Sequence, residues 1–185
     1  MKKTIKLVVC VVLFGGMTIS AQEKQKGIEF GIKAGGNVTE FRNASSKFKI
    51  GVMGGVFSQY KFSEKLAIRS EVLYSAQGAK SKIGSRKIKL NYINVLPAII
   101  KFYPINKLSL EAGPHVGYLL GGKGAGFVKR DFKKIDYGVA LGIGYSLTDN
   151  LEVGIRYNLG LVDITKESNT SFKNSVFQAG LSLKL

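Results

Sequence analysis

The sequence predicts an all-β protein: an eight-stranded antiparallel up-and-down transmembrane β-barrel of the outer membrane, preceded by a cleavable signal peptide. Three observations predict it: an alternating apolar pattern at the chain end, eight such segments in total, and connectors that alternate between short and long. In the last segment, polar or small residues alternate with Phe177, Ala179, Leu181, Leu183 and Leu185, as in a β-strand with one apolar face. A closed barrel in a bilayer pairs both edges of such a strand and turns its apolar face to lipid.

The N-terminal segment has the three parts of a secretory signal. Lysines within the first six residues precede an apolar run at 7–19, and the small residues Ser20 and Ala21 close it. This order predicts a signal peptide over residues 1–21. An uncleaved anchor is the alternative, but the run is shorter than the roughly 20 apolar residues of a spanning helix. Cys10 would leave with the signal, so the barrel domain, residues 22–185, is expected to contain no disulfide.

Eight segments show the alternation in turn, and each is long enough for the roughly 9 to 11 residues that a tilted membrane strand needs. Their apolar positions recur at every second residue, whereas the connectors between them are polar. The predicted strands are residues 28–38, 49–62, 66–78, 90–103, 108–120, 135–147, 151–161 and 174–185.

The connectors fall into two length classes that alternate along the chain. The short ones contain the Pro, Asn, Asp and Ser that tight turns favour, and the long ones are polar and contain glycine. Short periplasmic turns and long outer loops are the layout of a membrane barrel with both termini in the periplasm. The short connectors are 63–65, 104–107 and 148–150, and the long ones are 39–48, 79–89, 121–134 and 162–173.

The two faces of the predicted strands differ in chemistry. In strand 108–120 the apolar face carries Leu108, Leu110, Val116 and Tyr118, whereas glycine and charged residues occupy the other face. An interior of small side chains and a few charges suits eight strands, which enclose only enough space for side chains to fill. We therefore expect a filled lumen and no wide pore.

Aromatic residues on the apolar face predict two interfacial bands. A soluble barrel of lipocalin type is the competing fold, but it would place its apolar face inward and leave these bands unexplained. The band near the short turns comprises Tyr60, Phe62, Phe102 and Tyr145, and the band near the long loops comprises Tyr74, Tyr92, Tyr118, Tyr137 and Tyr157.

Five segments together resemble the PorT-like outer-membrane protein β-barrel domain family: GIKAGGN at 31–37, LYSAQGA at 73–79, YINVLP at 92–97, EAGP at 111–114 and RYNLGL at 156–161. The resemblance covers nearly the whole mature chain and implies an outer-membrane location. Some members are linked to protein secretion across that membrane. The chain departs from the family in the spacing from Tyr92 to Pro97, which is one residue longer and leaves the strand register there open, and in Leu185, where an aromatic residue is commoner.

Charged residues on the inner face are nearly balanced in sign, and buried ions must be paired. We expect a lumen network of ion pairs that plugs the barrel. An ion or proton path in which His115 and Glu111 act as a relay is the alternative. The expected network comprises Glu29, Lys33, Arg69, Glu71, Lys101, Glu111, His115, Glu152 and Arg156, with Lys184 nearby.

No motif in the sequence points to catalysis. His115 is the only histidine, and neither a Gly-x-Ser-x-Gly element nor a His-x-x-x-His pair occurs. We expect no enzymatic activity, no catalytic residues, no cofactor and no metal site, and His115 is interpreted as structural.

The full chain has a formal net charge of +16 at pH 7, and the long loops hold most of the surplus. A basic chain often binds nucleic acid, but an exported one instead meets the phosphates of lipid and lipopolysaccharide. Solvated charge and capture of an anionic polymer are the alternatives. The expected lipid contacts are Lys80, Lys82, Arg86, Lys87, Lys129, Arg130, Lys133 and Lys134.

These observations favour a structural or adhesive role in the cell envelope. A narrow ion channel and an accessory component of protein secretion are the rival functions. The expected partners are outer-membrane lipid and lipopolysaccharide, the barrel assembly machinery during insertion, and other envelope proteins.

Overall fold

The computed structural model describes residues 27–42, 46–81, 87–124, 133–163 and 173–185. No helix in these ranges has the length and apolar character needed to cross a membrane. The predicted signal peptide lies outside the described residues. The described strands are β1 (Ile28–Arg42), β2 (Ser46–Lys47), β3 (Lys49–Ser63), β4 (Leu66–Ser81), β5 (Lys87–Ile105), β6 (Leu108–Gly124), β7 (Ile135–Ser146), β8 (Leu151–Asp163) and β9 (Lys173–Lys184).

The eight long strands close into one antiparallel barrel. Each pairs with its neighbours in sequence, β1 pairs with β9, and the pairing of β4 with β5 completes the circle. The two-residue strand β2 extends the sheet at the loop end of β4. The predicted fold class is therefore confirmed, and closure removes the exposed edges that an open sheet would present.

Several strands continue beyond their predicted loop ends. β5, for example, begins at Lys87 and pairs with β4 as far as Lys80 opposite Lys87, although the alternating pattern begins only at Leu90. Backbone pairing needs no apolar face, so the ladder extends past the segment that lipid would cover. The long connectors are correspondingly shorter than the sequence pattern indicates.

The barrel has its apolar side outside and its charges inside. Leu110, Ile143 and Leu181 are 44%, 46% and 49% exposed, whereas Arg69 and Lys101 are almost completely buried. This arrangement is the reverse of a water-soluble protein and matches a barrel whose outer face meets lipid. The prediction that the apolar face of the strands points outward is confirmed, although Leu73, Leu90, Leu96 and Leu119 are buried.

The assignment of Tyr92 to the outer aromatic band is wrong, because its side chain is only 1% exposed and points inward. The cause is a β-bulge further along β5. Arg69 pairs with Ile99, but Glu71 pairs with Leu96, so one extra residue of β5 shifts the alternation between its two halves. Pro97 lies at this bulge, where its missing N–H interrupts no ladder bond, and its carbonyl accepts a hydrogen bond from Ser70 Oγ at 2.6 Å.

The interior also contains an apolar cluster that the sequence pattern does not predict. Leu96 and Ile99 are both buried although they lie three residues apart, because the bulge turns both inward. Small residues and charges therefore fill only part of the lumen. The cluster consists of Met53, Leu73, Leu96, Ile99 and Ala140.

Candidate functional site

Six charged side chains form a closed ring across the lumen, with carboxylates and cations in alternation. Every neighbouring pair lies within 4 Å, and all six residues are at most 7% exposed. In order around the ring they are Glu71, Arg156, Glu111, Lys101, Glu152 and Arg69.

Arg156 makes the closest contacts in this charge ring. Its Nη1 and Nη2 donate to the two carboxylate oxygens of Glu71 at 2.5 and 3.0 Å, and Nη2 also donates to Glu111 Oε2 at 2.6 Å. Two parallel bonds between a planar guanidinium and a carboxylate combine strength with a fixed orientation. Arg156 therefore joins the carboxylates of β4 and β6 from its position on β8.

Lys101 and Arg69 complete the ring at its turn side. Lys101 Nζ lies 3.0 Å from Glu111 Oε1 and 2.6 Å from Glu152 Oε2. Arg69 Nη1 lies 2.9 Å from Glu152 Oε1 and 3.8 Å from Glu71 Oε1. Each carboxylate thus faces two cations, as a buried carboxylate requires.

Lys33 adds a fourth cation, with its Nζ 3.3 Å from Glu71 Oε1. The four cations, which are Lys33 and the three ring cations, outnumber the three ring carboxylates by one. The lumen at this level therefore carries a small positive surplus.

Glycines make room for the charge ring. A Cβ atom placed on Gly142 of β7 would lie 3.2 Å from Glu111 Oε2 and 3.4 Å from Arg156 Cβ, so any larger residue would crowd both side chains. Inward positions on each strand recur at every second residue, which places Arg69 with Glu71 on one face of β4 and Glu152 with Arg156 on one face of β8.

Hydrogen bonds extend the ring towards the short turns. Arg69 Nε donates to Gln59 Oε1 at 2.9 Å, and Gln59 Nε2 donates to Glu29 Oε2 at 2.9 Å. Glu29 also pairs with Lys184 Nζ at 3.2 Å, where the two side chains are 35% and 25% exposed. The guanidinium of Arg69 additionally lies over the ring of Phe57, 4.3 Å from its centroid.

The structure has a small cavity beside the charge ring. A cavity of about 10 Å³ beside it is lined by Lys33, Gly154, Arg156, Gln178 and Ser182, among others. Such a volume admits about one water molecule.

His115 lies apart from the charge ring. It is 5% exposed on β6, four residues towards the loop end from Glu111, and packs against Gly138 of β7. Among the residues the structure describes, no salt bridge joins it to the ring carboxylates.

A second polar cluster, missed from the sequence, occupies the loop end of the lumen. Asn37 Nδ2 and Gln77 Nε2 donate to Ser75 Oγ at 3.0 and 3.1 Å. Asn174 Nδ2 donates to Gln77 Oε1 at 2.8 Å and to Asp136 Oδ2 at 3.1 Å. Uncharged amides on alternating positions resemble ordinary lumen filling in the sequence, so no pattern singled these residues out.

The expected lipid contacts are only partly described. Lys133 and Lys134 are exposed immediately before β7, and Tyr137 on the outer face is 53% exposed. Lys80 and Lys87 pair with each other at the loop ends of β4 and β5, and their side chains are outside the description. Lys82, Arg86, Lys129 and Arg130 lie outside the described residues.

The model of a sequence family described as "outer membrane protein beta-barrel domain" matches residues 20–166. Among proteins with curated descriptions, none matches the chain.

Solved structures with a similar fold include three outer-membrane barrels. Neisserial surface protein A is 19% identical, with a TM-score of 0.55 over 88% of this chain and 100% of that one. Ail of Yersinia pestis, in complex with the heparin analogue sucrose octasulfate, is 13% identical, with a TM-score of 0.51 over 85% and 99%. AlkL, determined in DMPC bilayers, is 13% identical, with a TM-score of 0.50 over 91% and 97%. At these identities the likeness concerns the fold.

Proposed function

The chain belongs to the outer membrane protein beta-barrel domain family, and on this premise we propose that it has a structural and adhesive role in the envelope. It is an outer-membrane barrel, as the family and the fold show. In this proposal the charge ring plugs the lumen, and basic residues at the loop end contact anionic lipid headgroups. The role is non-enzymatic.

The charge ring is the observation that supports a closed lumen. Its members reach across the barrel from β4, β5, β6 and β8, and each of its three cations contacts two carboxylates from different strands. Separating buried ions costs several kcal/mol per ion, so a passing solute would have to break several strong contacts at once. The same network can hold the barrel rigid while the outer loops bind.

Lys133 and Lys134 support the lipid contact. Both are exposed at the loop end, and the phenol of Tyr137 follows them on the outer face. Phenol rings favour the headgroup layer, where ammonium groups can meet lipid phosphates. Lipopolysaccharide is therefore the proposed partner in the outer leaflet.

Lipopolysaccharide binding tests this part of the proposal. We expect lipopolysaccharide to raise the melting temperature of the detergent-refolded barrel, and the K133E/K134E variant to lose most of that rise. The K65E/K107E variant is the matched control, because those exposed lysines lie at the opposite end. An equal rise in all three proteins would contradict headgroup contact at Lys133 and Lys134.

The PorT-like motifs support a second proposal, an accessory role in protein secretion across the outer membrane with other envelope proteins as partners. The segment at 92–97 contains both Tyr92 and the bulge at Pro97, so it shapes the lumen and the β4–β5 seam. Deletion of the gene should then retain secreted cargo in the periplasm. Normal secretion in the deletion strain would contradict this proposal. In both proposals the barrel assembly machinery is the partner during insertion.

A further inference from the structure

We propose that the loop end of the lumen binds a hard metal cation, such as Ca²⁺, through the side-chain oxygens of Asp136, Asn158, Asn174 and Tyr92. The inference is independent of the proposed envelope role. The buried carboxylate of Asp136 lies outside the charge ring.

Asp136 is 3% exposed, and its only described hydrogen bond is the one that Oδ2 accepts from Asn174 at 3.1 Å. Within the described residues, Oδ1 has no hydrogen-bond partner and no cation forms a salt bridge with either oxygen. A buried carboxylate in this situation costs several kcal/mol unless a positive charge compensates it.

The positive surplus of the charge ring is too distant to compensate Asp136. Gly142 marks the level of Glu111 and Arg156 on β7, and Asp136 lies six residues further towards the loop end. At roughly 3.3 Å per residue this separation is about 20 Å along the strand. Any cation that compensates the Asp136 carboxylate must therefore lie at the loop end of the lumen.

Three other buried oxygens in the lumen also have no described partner: Asn158 Oδ1, Asn174 Oδ1 and the Tyr92 hydroxyl. All three residues are at most 4% exposed. Unsatisfied buried oxygens are rare in folded proteins, and each calls for an explanation. One cation at their centre would satisfy all of them together with Asp136 Oδ1.

Two glycines leave space beside Asp136, between it and Asn174 and between it and Tyr92. A Cβ atom on Gly160 would lie 3.2 Å from Asp136 Oδ1 and 2.5 Å from the carbonyl oxygen of Asn174. A Cβ atom on Gly117 would lie 2.9 Å from Asn94 Oδ1, 3.3 Å from the Tyr92 ring and 3.6 Å from Asp136 Cβ. Asn158 is the next inward residue to Gly160 on β8, which places its side chain on the same face of the strand, towards the lumen.

The donor set determines the class of ion. Carboxylate, amide and phenol oxygens are hard ligands, which suit Ca²⁺. One carboxylate among neutral oxygens predicts weak binding, with a dissociation constant on the order of 10⁻⁴ to 10⁻³ M. In the described residues no three His, Cys, Asp or Glu side chains converge, so neutral oxygens would supply most of the ligands.

Terbium luminescence provides a direct test, because Tb³⁺ replaces Ca²⁺ and is sensitised by a nearby tyrosine. The probe is Tb³⁺ added to the full mature barrel in phospholipid nanodiscs, with excitation of tyrosine and displacement by Ca²⁺. We expect saturable, Ca²⁺-displaceable emission, a loss of affinity of at least tenfold in D136N, and a loss of more than half the intensity in Y92F. Exposed Asp149 lies at the opposite end, so D149N is the matched control and should bind as the native chain does.

A gain of affinity gives a second, independent test. N174D adds a second carboxylate and should tighten Tb³⁺ binding at least tenfold. Heat-modifiable migration on a denaturing gel verifies that each variant is folded. Absence of displaceable emission from the native barrel, equal binding by D136N, unchanged intensity in Y92F, or no tightening in N174D would overturn the assignment.

Discussion

Arg156 and Glu71 face each other across the lumen from β8 and β4, and their guanidinium and carboxylate groups join through two parallel hydrogen bonds of 2.5 and 3.0 Å. The two residues are 85 positions apart in sequence. The pair therefore links distant strands that share no backbone hydrogen bonds, and it forms only when the barrel closes.

Replacement of Arg156 should destabilise the barrel strongly. In R156M, Glu71 and Glu111 lose their shortest contacts while they stay buried, so we expect a loss of about 3 to 5 kcal/mol in the free energy of unfolding. Urea unfolding in phospholipid vesicles measures this change. As the control, K184M removes one partner of the more exposed pair with Glu29 and should cost less than about 1 kcal/mol. Equal losses of unfolding free energy in the two variants would show that the buried ring pair stabilises the barrel no more than the exposed pair does.

Two neighbouring glycine positions allow a matched test of how tightly the strands of the barrel pack. A Cβ atom on Gly180 would lie 2.6 Å from the carbonyl oxygen of Ala34 and 3.0 Å from Met53 Cε. One on Gly36 would meet only the carbonyl oxygen of Gly51 at 3.7 Å. We expect G180A to lower the melting temperature, with a cost of about 1 to 3 kcal/mol, and G36A to leave it unchanged or raise it. The same change of melting temperature in both variants would contradict the prediction that Gly180 is tightly packed and Gly36 is not.

The pattern of side chains predicts the faces of this barrel well. Outward positions are every second residue of a strand, and lipid favours apolar side chains at those positions. The prediction fails at Tyr92, because the bulge at Pro97 reverses the alternation and only the extra residue in a motif hinted at it. Individual ion pairs could not be predicted either. Which carboxylate meets Arg156 depends on strand tilt and register around the whole barrel, and no local pattern contains that information.

The bond across the bulge provides a third prediction. Ser70 Oγ donates to the carbonyl oxygen of Pro97 at 2.6 Å on the outer, lipid-facing side. In S70A that carbonyl has no water in the bilayer to replace the lost donor. We therefore expect the free energy of unfolding to fall by about 1 to 3 kcal/mol. S58A is the control, since Ser58 pairs with Ser70 across the β3–β4 ladder and forms no described hydrogen bond to a bulge. Urea titration of both variants should separate them.

Lys107 provides a fourth prediction, because it adopts a left-handed conformation, with φ of 76°, in the turn between β5 and β6. A side chain makes this conformation unfavourable by roughly 1 kcal/mol, and glycine adopts it freely. K107G should therefore raise the melting temperature, whereas K65G in the preceding turn should not. A lower melting temperature in K107G would show that its side chain stabilises the turn more than the backbone conformation costs.

Ionic conductance tests whether the charge ring closes the lumen. In planar bilayers the native barrel should pass no measurable current, because the side chains of the ring contact one another across the lumen. The double variant R69A/R156A removes two long side chains from adjoining positions beside Glu71 and should pass current that selects cations, since the ring carboxylates then outnumber Lys33 and Lys101. F30A/L183A, changed on the outer face, is the control and should stay silent. Current through the native barrel that the double variant alters would instead support the narrow channel.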